Sequence, residues 1–331
     1  MNRKEILFVY DTKYTNPNGD PLDENKPRRD YENNINLVSD VRLKRTIRDY
    51  LADYKNQNIF VKAETKPDGN VQTLKDRLTN ETNIENETFT TVPEAHEYVK
   101  KELFNNYIDV RLFGSVIAPG GFKISVNGKQ KPFGSIPITA PVQFNVGKSL
   151  HETKIELIKG TGAFASGDGK DQNTFRTEYI TPYSLIAFHG IVNENVGKLT
   201  QLSEEDIILL RDGIWNGTRN LITRSKFGQL PRIYLEIEYS EENFFIGDLN
   251  NRIKLTHNLK DDTYIRSIDE INLDLTQLLK SIIYNKDKIS KIYYKFDEAV
   301  QFKDYTIESL IGFLNENNII TEEVLWLKWN L

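Results

Sequence analysis

Hydrophobic positions fall into a few short, strongly patterned runs separated by long polar stretches. Residues 5 to 14 open with Ile6, Leu7, Phe8, Val9 and Tyr10, a continuous apolar run that predicts a strand covered on both faces. From Thr15 to Asn36 the pattern stops. Asn16-Pro17, Asn18-Gly19, Asp20-Pro21 and Lys26-Pro27 punctuate what reads as one long loop. A helical period returns over 39–54, where Leu43, Ile47, Tyr50, Leu51 and Tyr54 form one stripe and Ser39 stands at the N-cap position.

Residues 56–105 are polar and read as an insertion. After them, 108–118 predicts a short buried helix, 124–132 a hairpin around Asn127-Gly128, and 135–147 a strand whose Pro137 and Pro141 point to an edge or bulge. A glycine-rich tip at 159–179 lies between two strand-like arms and predicts a long exposed hairpin. Ser203-Glu204-Glu205-Asp206 has the form of a capping box and opens a helix over 204–222, with Ile207, Leu210, Ile214 and Leu221 inward. In 231–239, Ile233, Leu235, Ile237 and Tyr239 alternate with Arg232, Tyr234, Glu236 and Glu238, which predicts a half-buried strand. Strands at 5–14, 135–148, 176–192 and 231–239 with helices at 40–54 and 204–222 give the order βαββαβ, an α+β, ferredoxin-like arrangement. The tail reads as a smaller αβ part, helical over 269–283 and 307–314 and extended over 291–296.

Composition narrows the chemistry. The chain has 331 residues, room for two domains or one elaborated domain, and 38% hydrophobic against 27% charged residues marks a folded protein. With no cysteine, disulfides, thiolate metal sites and cysteine nucleophiles are excluded. The four histidines show no metal-binding spacing, and His189 sits in an apolar run that suits a core histidine. No P-loop, EF-hand or serine-nucleophile motif is present: Gly169-Lys170 is followed by Asp171, and Gly19 at the sixth EF-hand position would make Tyr14 the first ligand. The longest uncharged apolar stretch, 179–192, is too short to cross a bilayer, and the N-terminus lacks a cleavage pattern, so a cytoplasmic location is expected.

Net charge is -5, which argues against a general polycation, but the positive charge is unevenly spread. Lys26, Arg28, Arg29, Arg42, Lys44, Arg45 and Arg48 crowd the loop and the first turns of the following helix. Cations near a helix start oppose the macrodipole and are relieved by an anion, so one reading is a track for a phosphate backbone. The other is a solvated helix face paired with Asp30, Asp40, Asp49 and Asp53, and charge alone favours it. The glycine-rich hairpin carries Lys159, Lys170 and Arg176 beside Phe164 and Phe175, a mixture suited to stacking on and gripping single strands. A plain surface loop, or an arm that holds a neighbouring subunit, has the same composition.

Several runs carry a specific resemblance. NPNGDPLDENKPR, SDVRLKRTIRDYL, YIDVRLFGSVIA, TFRTEYITPYSLIAFHGIVNEN and WNGTRNLITRSKFGQLPR, in this order, resemble the type I-B CRISPR-associated Cascade backbone subunit, the Csh-type branch of the seventh Cas family in the RAMP superfamily. The resemblance covers residues 1–240. It implies an RRM-like palm (1–55 and 106–240), an inserted fingers region (56–105), a thumb hairpin (about 149–180) and, beyond the resemblance, a C-terminal αβ extension (241–331). It also implies copies stacked head to tail along a CRISPR guide RNA, presenting its bases to target DNA, beside the large subunit and proteins of the fifth and sixth Cas families. By resemblance, Ser39, Arg42, Lys44, Arg45 and Arg48 hold guide phosphates, and Lys26, Arg28 and Arg29 contribute. By position in the thumb, Phe164 or Phe175, with Lys170 and Arg176, lies against the RNA, and Lys62, Lys66 and Lys75 of the fingers are candidates for contact with target duplex. Neither a cofactor, a metal nor a catalytic role is implied. Two rivals stand: a type III-like target-RNA nuclease using Asp20, Asp23 or Asp30 with a divalent metal, and a scaffold that binds no nucleic acid.

Overall fold

Lys4–Thr15 form the first strand (β1), and every residue from Lys4 to Thr12 is buried, as the unbroken apolar run predicts. This computed structural model describes residues 1–161 and 175–325, and for Thr161, Phe175 and Arg176 the backbone only. The architecture is α+β: helices accompany a central, mostly antiparallel sheet. The chain divides into two compact units, one of residues 47–143 and 192–213 with Met1, the other of 2–46, 144–191 and 214–331.

The larger unit is organised by the sheet. Gly147–Ser149 (β2), Phe175–Val192 (β3), Gln229–Tyr239 (β4) and Ile289–Phe296 (β5) join β1 in the order β5-β4-β1-β3-β2. β1 and β4 run antiparallel with Leu7 opposite Leu235, and β4 and β5 antiparallel with Leu235 opposite Tyr294. Leu7, Val9, Leu185, Ile233, Leu235 and Ile237 form one core with Leu278, Ile282 and Leu310 of the tail helices Thr276–Tyr284 and Ile307–Glu316. The segment after residue 240 is also tied to β1 by Glu5. This fully buried carboxylate accepts from His189 Nε2 at 2.7 Å, the Tyr239 hydroxyl, and the amides of Ile246 and Gly247 at 3.0 and 2.8 Å.

The smaller unit hides its own core inside a polar stretch. Helices Leu74–Thr82 and Val92–Asn106 supply Leu78, Ala95, Val99 and Leu103, which pack with Phe60, Tyr107, Ile117 and Phe133. The Asn127-Gly128 hairpin forms as expected, with both residues at positive φ (50° and 71°) between Lys123–Val126 and Lys129–Pro132. Ser203 and Asp206 exchange bonds of 3.1 Å and cap the helix Glu204–Arg219.

Four expectations need correction. Residues 135–147 are not one strand: Ile136–Ile138 pairs with Ser115–Ile117 outside the central sheet, and Val142–Phe144 and Gly147–Ser149 are separate. Pro137 and Pro141 lack the amides that a continuous ladder would need. The helix expected over 108–118 ends at Phe113, because Gly114 (φ 59°) brings its backbone so near Ile138 that a Cβ would lie 2.1 Å from that carbonyl. Strand 231–239 is buried on both faces, since Arg232 is neutralised by Asp11 and Asp297 and the Tyr234 hydroxyl bonds Glu236. The helix expected over 269–283 starts at Thr276, where Asp274 accepts from the Thr276 amide at 2.9 Å, after a short strand Asn272–Asp274. Among the described residues, no helix is long and apolar enough to cross a membrane.

Candidate nucleic-acid interface

The chain leaves β1 through Tyr14, 58% exposed and held at φ 49°, an uncommon backbone for a bulky residue. The following stretch is folded onto itself and is not the bare loop that its punctuation suggests. Gly19–Asp20 pairs with Lys26–Pro27, and Arg29–Asp30 with Ile35–Asn36. A Cβ at Gly19 would lie 2.0 Å from Asn25 Oδ1, so a side chain there would displace the Asn25 amide. Asn16 anchors both ends: its amide donates to the Ser225 carbonyl at 3.1 Å, and its Nδ2 to the Asn25 carbonyl at 2.6 Å.

Helix α1 (Asp40–Lys55) is locked to this loop through Ser39. The Ser39 amide and hydroxyl donate to Asn18 Oδ1 at 2.9 and 3.0 Å, and the same hydroxyl accepts from the Arg42 amide at 3.3 Å. Ser39 therefore caps α1, as its position predicts, and its hydroxyl proton is committed to Asn18. A crevice of about 410 Å³ opens here, with Pro27, Leu37 and Val146 on its apolar side, and Arg28, Arg29 and Ser39 together with the carboxylates Asp20 and Asp23 on its polar side. Its size suits a nucleotide-sized guest.

Most of the cations bring carboxylates with them. Lys26 Nζ lies 2.6 Å from Asp23 and 5.1 Å from the centre of the Tyr179 ring, whose hydroxyl donates to Glu24 at 2.8 Å. The hydrogen bond to Asp23 pushes the Lys26 ammonium up to about 12, and the same contact holds the Asp23 carboxyl below its usual range. Arg28 faces Asp20 at 3.3 Å, and Lys44 faces Asp40 at 3.0 Å. Arg29 is spent on backbone: it donates to the carbonyls of Asn34, at 3.1 Å, and Thr153, and burial lowers its proton affinity. Asp30 pairs with no cation of α1. It closes its own turn through Asn33, by the side chain at 2.8 Å and the amide at 3.3 Å, and those bonds lower its pKa.

On α1, Arg45 is exposed, Arg42 is half-buried and Lys44 is 9% exposed. Arg48 lies in the smaller unit and has a different setting. Its Nε bonds Asp109 at 3.0 Å, its guanidinium carbon sits 5.1 Å from the centre of the Phe113 ring, and the fully buried Asp109 also accepts from the amides of Phe60 and Val61. Of the fingers lysines, Lys66 pairs with Asp76 at 2.7 Å, Lys75 lies 5.8 Å from the Phe122 ring centre, and Lys62 is exposed. In the hairpin, Glu156–Thr161 pairs with the start of β3, Gly160 opposite Arg176 and Thr161 opposite Phe175. Phe164 and Lys170 lie outside the described residues, as do the side chains of Phe175 and Arg176.

Two residues that the sequence pattern does not single out stand at the same loop. Tyr14 is one. The other is Lys226, whose ammonium donates to the Asn16 carbonyl. A lone lysine in TRSKFG has no periodic or motif signal, and only the fold brings it to the loop.

A family model described as CRISPR-associated protein Cas7 matches residues 2–276. A protein of Haloferax volcanii described as CRISPR-associated protein Cas7 is 32% identical over 313 residues, spanning 91% of this chain and 88% of its own. Among solved structures, a chain of a CRISPR RNA-guided surveillance complex in a pre-nicking state shares the fold, with a TM-score of 0.52, 10% identity, and coverage of 95% of this chain and 100% of that one.

Proposed function

The chain belongs to the Cas7 family, and from that premise we propose that it is the guide-RNA-binding backbone subunit of a type I-B Cascade complex. The observation that carries the reading is the locked loop at the start of α1, which gathers Arg28, Arg29 and Ser39 around one crevice beside Lys26. Lys26 and Arg28 are held by half-buried carboxylates that water still reaches, and such pairs exchange for phosphates at little cost. A subunit that must accept any guide sequence needs phosphate contacts and stacking in place of base-edge readout. Exposed Tyr14, and Phe164 or Phe175 of the thumb, would supply the stacking.

An RRM-like palm is the finer fold reading. It is supported by the order β4-β1-β3-β2, in which the last predicted strand flanks the first and the third flanks the second. Residues 56–105 would be the fingers, 149–180 the thumb and 241–331 an extension that adds β5 to the same sheet. Head-to-tail contacts between copies would build a filament along the guide in the cytoplasm, with target DNA and the large, fifth-family and sixth-family subunits as further partners. The role is structural, without cofactor. Asp20, Asp23 and Asp30 are engaged in holding the loop, which favours this reading over target-RNA cleavage.

Co-purification of the tagged chain from cells carrying a CRISPR array and the partner subunits tests this. Guide-length RNAs with varied spacers should accompany it and be lost from an Arg28→Ala/Lys44→Ala/Arg45→Ala triple variant. Absence of RNA would favour the scaffold, and metal-dependent cleavage of guide-complementary RNA abolished by Asp30→Ala would favour the nuclease.

A further inference from the structure

Lys226 is a half-buried ammonium that, among the described residues, has one hydrogen-bond partner, the backbone carbonyl of Asn16. An ammonium has three N–H groups, so two are left open. Among the described residues no carboxylate pairs with it, in contrast with Lys26, Arg28 and Lys44 around the same loop. The charges that face it have the wrong sign for comfort. From α1 the Arg42 guanidinium is near enough to repel it, and on its own segment Arg224 reaches toward Glu178 at 3.5 Å. The segment is fixed in place, since the Lys226 and Phe227 amides both donate to the Thr223 carbonyl and Ser225 accepts from Asn16. Two cations converging on a rigid loop, one of them with open donors, are a seat for an anion.

We propose that Lys226 and Arg42 together grip one phosphate of the guide RNA at the Asn16 loop. The proposal rests on the guide-RNA reading above and adds a phosphate contact from a segment 210 residues beyond Asn16 along the chain. Burial, and then Arg42, bring the Lys226 ammonium down to about 8. A phosphate between the two cations would raise it again, so RNA binding takes up a proton when the free lysine is neutral.

The test is the affinity of the full-length chain for a labelled guide-length RNA, measured from pH 7 to pH 9 at several salt concentrations. Wild-type affinity should fall by up to about tenfold over that range as the free ammonium loses its proton. Lys226→Gln keeps an N–H donor for the Asn16 carbonyl but carries no charge. It should bind about tenfold more weakly at pH 7, flatten the pH profile, and reduce the salt slope by about 0.7, the value of one phosphate contact on a single strand. Lys226→Arg should restore the affinity and keep it to pH 9. Lys226→Gln matching wild type in affinity, slope and pH profile would overturn the inference while the guide-RNA reading stood. Equal losses in both variants with an unchanged salt slope would also overturn it, by making Lys226 a mere brace for the loop. No RNA binding by wild type would remove the underlying reading itself.

Discussion

Two sets of ion pairs use the same chemistry to opposite ends. Inside the sheet, Arg232 is 4% exposed and bonds Asp11 at 2.9 Å as well as Asp297, while Asp11 is fully buried and also accepts from the Tyr183 hydroxyl at 3.2 Å. At the loop, Lys26–Asp23 and Arg28–Asp20 lie at 2.6 and 3.3 Å with 27–41% of each side chain in water. Distance does not separate Arg232–Asp11 from the loop pairs; water does, and Asp297, with 29% of its side chain in water, stands between. Burial holds the Asp11 carboxyl above its ordinary range even with Arg232 pulling it down, so neither partner can be left alone. At the loop water can replace either partner, and so can a phosphate. Arg48, which the sequence places with the loop cations, belongs by its buried Asp109 with the interior set.

The largest expected effect comes from breaking an interior pair. Arg232→Met leaves Asp11 buried and should cost ~3–5 kcal/mol in urea unfolding; a loss under about 1 kcal/mol would erase the distinction between the two sets.

His151 sharpens the same point through pH. It is buried and neutral, donating from Nδ1 to the Glu152 carbonyl at 2.8 Å and accepting at Nε2 from the Leu185 amide at 3.1 Å. Burial brings it down from 6.5 to about 4. Protonation therefore favours the unfolded chain: the contribution is fully present above pH 6.5 and is lost as pH falls toward 4, up to about 3 kcal/mol. Unfolding curves at pH 7 and pH 4.5 should differ less in His151→Gln than in wild type.

Next in size is the contrast between two arginines. Arg48→Ala should lose roughly 2 kcal/mol of stability and leave the salt slope of RNA binding as it was. Arg28→Ala should keep its unfolding midpoint, bind RNA about tenfold more weakly and lose about 0.7 from that slope. Exchange of these two phenotypes would return Arg48 to the phosphate track. The smallest effect is a gain: Asp20→Asn frees Arg28 from its half-buried partner and should tighten RNA binding by about threefold, read by the same titration.

Features set by neighbours in the chain were legible in advance. The apolar run of β1, the Ser39 cap, the Asn127-Gly128 turn and the Ser203–Asp206 box each depend on residues a few positions apart, and each formed. The strand 231–239 misled because Arg232 and Glu236 look like a wet face until β1 and β5 cover them. The site was legible in part for the same reason. Lys26, Arg28, Arg29, Arg42, Lys44 and Arg45 are close in sequence, so their clustering could be seen, as could Asp40 beside Lys44, but not that Asp23 and Asp20 hold Lys26 and Arg28.

Adjacent residues carried most of the elements, the concentration of charge near the start of α1, and a family likeness. Which ion pairs are shut away from water and which stay open to exchange was settled by distant parts of the chain coming together, because that depends on how much water reaches each pair. The tertiary structure alone brought Lys226 to the Asn16 loop and committed Arg48 to Asp109. Charge is a property of a residue; whether it is free to meet a ligand is a property of its surroundings.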